Sequence, residues 1–133
     1  MKALVGMAVG MGLLLAACAS GDKKTDDLNI APTNYKTEIV QLLTTALDDP
    51  IAIRDAFVTD PARAENGKGP YFVCVRFNAR DINRKYKGSE DRIAYFYSGQ
   101  LNQLVLAPSE LCAKAAYKPF PELEKICMAS KCV

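Results

Sequence analysis

The chain has 133 residues, 17 Lys and Arg against 15 Asp and Glu, and half of its residues are hydrophobic. That is one globular domain's worth of sequence, too apolar for wholesale disorder and too evenly charged for a dedicated nucleic-acid binder. With no His and no Trp, Ser-His-Asp and Cys-His catalysis, imidazole metal sites and imidazole proton shuttles are all excluded.

Met1 and Lys2 form a short positive start, and residues 3–16 then run fourteen positions of small or apolar side chains with three glycines. A helix crossing a bilayer core needs about 20 apolar residues. The run is shorter than that, and Gly21, Asp22, Lys23 and Lys24 follow closely, so it reads as a secretory h-region. Residues 19–32 are polar, charged and poor in large apolar groups, the composition of a flexible linker. Fourteen such residues have a root-mean-square span of about 20 Å.

From Thr33 or Asn34, either a good N-cap, Ile39, Leu42, Leu43, Ala46 and Leu47 recur at helical spacing, widened by Val40. Glu38 suits the positive helix end, and Asp48-Asp49-Pro50 closes a helix of about 35–48. Residues 51–58 read as a strand with imperfect alternation, Ile51, Ile53 and Phe57 facing one way. Residues 71–77 are the clearest strand: Tyr71, Val73, Val75 and Phe77 share one face, and Phe72, Cys74 and Arg76 share the other. A polar basic loop over 78–91 leads to strands 93–97 and 101–106, with Ser98-Gly99 supplying the positive φ that a tight hairpin needs. Residues 109–117 have N-cap chemistry and helix formers, and Pro121 suits the first position of another short helix reaching Cys127. The fold expected is α+β, an amphipathic helix packed on a three- to four-stranded antiparallel meander sheet, with a disulfide-bound C-terminal cap of short helices.

Leu15-Ala16-Ala17-Cys18 resembles the lipobox of bacterial lipoproteins: an aliphatic residue, two small ones, then cysteine. The resemblance covers residues 15–18 alone. It implies cleavage before Cys18, diacylglycerol on its thiol and an acyl chain (palmitate-type fat) on its new amino terminus. Three acyl chains give permanent membrane attachment without a spanning segment. The organisation expected is then a signal peptide over 1–17, a lipidated Cys18 with its tether over 18–33, and a periplasmic domain over 34–133. In similar lipoproteins Asp after the cysteine favours inner-membrane retention. Ala19 lacks that signal, which points to the outer membrane facing the periplasm.

Four cysteines remain, and an exported chain meets an oxidising compartment. Of three possible pairings, Cys74–Cys112 with Cys127–Cys132 is preferred, because Cys127 and Cys132 close a short local loop at the chain end. No C-x-x-C redox motif is present, and only the terminal Cys127-x4-Cys132 comes near zinc-type ligand spacing, so a structural role is expected, with no metal and no cofactor beyond the lipid on Cys18.

Arg76, Arg80, Arg84, Lys85, Lys87 and Arg92 lie within seventeen residues against Asp81, Glu90 and Asp91, a net +3. They form a candidate patch for an anionic partner, although charges on such a loop can also pair locally. Tyr95, Phe96 and Tyr97 with Tyr71 and Phe72 offer either a docking face or cross-strand packing. Asp48, Asp49, Asp55 and Asp60 form no calcium-loop pattern, and Ser98 and Ser109 have no base beside them in a recognisable constellation. No catalytic residue is expected. The plan is similar to that of small outer-membrane lipoproteins that act as accessory subunits. A non-enzymatic module with an envelope partner, bound to the membrane through its lipid, is therefore the leading expectation. The alternative is a ligand-binding lipoprotein or one resembling lysozyme inhibitors, although those are mostly β-barrels and the helix at 35–48 argues against them.

Overall fold

The amphipathic stripe forms the first element, α1 (Tyr35–Ala46). The structure, a computed structural model, describes residues 30–108 and 110–127, so the lipobox, Cys18 and most of the tether lie outside it. Ile39 and Leu43 bury the apolar face of α1. The helix stops two residues before the expected end because Leu47 turns extended, at φ −84° and ψ 144°. Asn34 sits at the N-cap but its side chain caps nothing. Glu38 has a different task from the one its position suggests: its carboxylate accepts the backbone N–H of Leu101, tying α1 to the sheet.

Asp49 and Pro50 do more than end a helix. They open β1 (Asp49–Val58), which pairs antiparallel with β2 (Tyr71–Arg80). The sheet continues through β3 (Glu90–Tyr97) and β4 (Gln100–Leu106), and β5 (Lys118–Pro119) adds to the far side of β1. Its order is β4-β3-β2-β1-β5. The expected three to four strands are thus five, the extra one being two residues long with no strand signal of its own.

Register in β1 shifts twice, between Asp49 and Arg54 and again before Phe57. Ala52 and Asp55 stand at these irregularities with φ of 59° and 54°. β1 advances five residues to two in β2 across the first shift and three to two across the second, and each odd excess reverses the parity that follows. Ile53, Ala56 and Val58 therefore enter the core, while Phe57, expected beside Ile53, is only half-buried. The β3–β4 turn follows expectation, with Ser98 at φ 53° and Gly99 at φ 75°. A Cβ at Gly99 would stand 2.8 Å from Ile30 Cγ2, so the described chain begins packed against this hairpin turn.

The two sheet faces have separate cores. On the front, Val73, Val75, Phe77, Ala94 and Phe96 meet Ile39 and Leu43 of α1. On the back, Cys74 and Ile93 are covered by Cys112, with Phe72, Tyr95, Ala115 and Tyr117 around them. The predicted alternation of β2 is the observed one.

Residues 110–117 do not form the helix expected over 109–117; they make turns over 110–114 and then run on to β5. Cys112 is bonded to Cys74, and Ala115 and Tyr117 both pack on the back face. That placement overrides helix propensity. The chain then reaches the β1 edge, where Phe120 N donates to Ala56 O at 2.8 Å, and turns onto the front as α2 (Pro121–Glu124). Pro121 starts α2 as predicted, but the helix ends at Glu124, short of Cys127. Phe120, Leu123 and Ile126 complete the front core. The C-terminal segment is thus a strap from the β4 edge, across the back, to the opposite edge and front.

Candidate functional site

The Cys74–Cys112 pair forms a disulfide with Cα atoms 5.8 Å apart. It joins the middle of β2 to the strap, and both residues are buried. Cys127 lies at the end of the described chain, and its expected partner Cys132 lies outside it, as does Cys18.

The basic cluster divides into three groups. Arg76 belongs to the back face, directly opposite Asp91 in the β2–β3 register. Its Nε and Nη2 donate to the two Asp91 oxygens at 2.6 and 3.0 Å, and its guanidinium lies 4.3 Å from the centre of the Tyr117 ring. Tyr117 OH donates to Asp91 Oδ1 at 3.0 Å. The bonds from Arg76 hold the Asp91 carboxyl below its usual range. Burial, with the adjacent carboxylate, pushes the Tyr117 phenol well above its usual range. This triad fastens the strap to the sheet, a structural task for a residue expected in a binding patch.

Arg84 and Lys85 occupy a tight turn at the tip of the β2–β3 connection. Asp81 Oδ1 accepts the N–H groups of Asn83 and Lys85 at 2.8 and 3.0 Å, and Arg84 adopts φ 61°. The loop is anchored again at Tyr86, whose OH donates to Ala52 O at 2.7 Å under the guanidinium of Arg54, 3.5 Å from the ring centre.

The third group converges. Arg80 from the end of β2, Lys87 from the connection and Arg92 from β3 line one cleft of about 270 Å³. Its apolar wall includes Phe77, Leu106 and Leu47, and Asp48 and Glu90 share the rim. Arg80 pairs with Asp49 at 2.9 Å and Arg92 with Glu90 at 3.6 Å. The Nε atoms of both arginines are buried with no hydrogen-bond partner. Each guanidinium thus has donor capacity beyond its ion pair. The cleft sets three cationic side chains and an apolar wall beside two carboxylates. It lies at the β2-end pole of the sheet, opposite the Ser98–Gly99 turn where the described chain begins. An eight-residue strand separates those poles by about 25 Å.

The aromatic docking face is mostly closed. Phe96 is in the front core and Tyr95 and Phe72 lie under the strap, leaving Tyr97 as its exposed member. The aspartates are dispersed: Asp49 pairs with Arg80, Asp60 with Lys118 at 2.6 Å, and Asp48 reaches the cleft. Reading the sequence by charge alone missed Phe77, Leu47 and Leu106 as cleft lining. Strand parity was the available signal, since Phe77 and Arg76 must face opposite ways. Compared with family models, curated proteins and solved structures, the chain matches none.

Proposed function

We propose that this chain is a non-enzymatic, lipid-anchored lipoprotein of the bacterial envelope, an accessory or binding module at the periplasmic face of the outer membrane. It meets an anionic envelope component in the Arg80–Lys87–Arg92 cleft. The observation that carries the proposal is the buried Cys74–Cys112 disulfide in a chain whose sequence has the lipobox-like Leu15-Ala16-Ala17-Cys18. Stable disulfides belong to oxidising compartments, where a chain with a cleavable leader is delivered. The cleft's position supports a partner other than the headgroups of its own membrane, since the tether joins the domain at the far pole.

Crosslinking in intact cells, followed by identification of what is captured, tests this reading. One stoichiometric outer-membrane protein, lost with Arg92→Glu and Lys87→Glu, is the expected product. Recovery of a lytic enzyme instead would favour the inhibitor reading. A small free anion bound in the cleft would favour the ligand-carrier form of the same alternative.

A further inference from the structure

The two edges of the sheet are built differently. β5 is two residues long, contains Pro119 and carries Lys118 in an ion pair with Asp60. Short length, proline and lysine are the standard protections of an edge against further pairing. β4 has seven residues, none charged and none proline. One irregularity, between Tyr95 and Phe96 in the β3 register, leaves Asn102 unpaired, and Glu38 occupies the N–H of Leu101. Beyond those devices no strand among the described residues pairs with this edge, and Val105 is 41% and Leu106 65% exposed.

The ladder identifies which groups point outward. Ala107 N donates to Asp91 O at 3.0 Å. Hydrogen-bonded and non-hydrogen-bonded pairs alternate in an antiparallel ladder. Val105 and Gln103, facing Ile93 and Tyr95, therefore bond inward to β3. Leu104 and Leu106, facing Ala94 and Arg92, turn their N–H and C=O away from the sheet.

We infer that this edge pairs with a second copy of the chain, antiparallel, about a two-fold axis at Val105. In that register Leu104 of each copy faces Leu106 of the other, and the outward groups exchange four hydrogen bonds. Val105 faces its own symmetry mate on the back, and the leucines gather on the front. An isologous contact must complement itself, and an uncharged strand sets no like charges opposite one another. Pro108, the next outward position, has no N–H and ends the ladder. The inference is independent of the envelope reading, and it shares Leu106 with the cleft wall.

The test uses the full chain in excess detergent, by sedimentation velocity. The expected result is a dimer for the wild type. Val105→Lys and Val105→Glu, each placing like charges across the axis, should lower the association constant roughly tenfold or more. An equal mixture of the two variants should restore the dimer. Sharing of one micelle would be indifferent to charge at this position. Leu106→Pro removes an outward donor and should leave a folded monomer with a near-normal melting temperature. A monomeric wild type, dimers that persist in both charged variants, or a mixture that fails to reassociate would each overturn the inference.

Discussion

At the scale of single residues, the Arg76–Asp91–Tyr117 triad makes stability depend on pH at both ends. The Asp91 carboxyl is held below its ordinary 3.8, first by the Arg76 hydrogen bonds. Its contribution is complete above the unfolded value and is lost as pH falls through the lower folded one. Burial foremost raises the Tyr117 phenol above its ordinary 10.0. That contribution is complete below the unfolded value and is lost as pH rises toward the folded one. Melting temperature should therefore be level between about pH 5 and pH 9 for these two groups and fall on either side. Tyr117→Phe should flatten the alkaline fall and cost about 1 kcal/mol at neutral pH, measured by urea titration across pH. Ala52 makes the opposite kind of prediction. At φ 59° its Cβ is strained, and Ala52→Gly should stabilise the fold by about 0.5–1 kcal/mol. A loss of stability on this change would show that the Ala52 side chain contributes more than its backbone costs.

Among the elements, the disulfide has the clearest energetic role. It closes a 38-residue separation, for which chain entropy alone gives about 4 kcal/mol. The paired change Cys74→Ser and Cys112→Ser should lose most of that in oxidised protein, read as a shift in denaturation midpoint at unchanged slope. α1, β2 and the β3–β4 hairpin were legible from sequence because each carries its own period or turn chemistry. β1 was only half legible, since the irregularities at Ala52 and Asp55 move Phe57 off the face that alternation assigns it. β5 and the run over 110–117 were not legible. Their conformation is imposed by partners far along the chain, β1 for one and Cys74 for the other. The cleft shows the same division. Spacing singled out Arg80, Lys87 and Arg92, but pairing across the sheet removes Arg76 from them, and only the folded chain brings in Leu47 and Leu106.

For the whole molecule, the described chain begins at the pole opposite the cleft, so charge and the proposed attachment make separable predictions. Cys18→Ser should leave an uncleaved or soluble chain whose cleft still binds its partner, seen by fractionation and intact-mass measurement. Arg92→Glu with Lys87→Glu should leave the acylated mass unchanged and abolish partner capture. Phe120, Leu123 and Ile126 form one side of the front core, against residues that include Ile53 and Ala56. Without residues 120–126, Ile53 and Ala56 lose those neighbours. Because that side of the core is supplied by Phe120, Leu123 and Ile126, a chain truncated after Tyr117 should remain prey to chaperones and proteases.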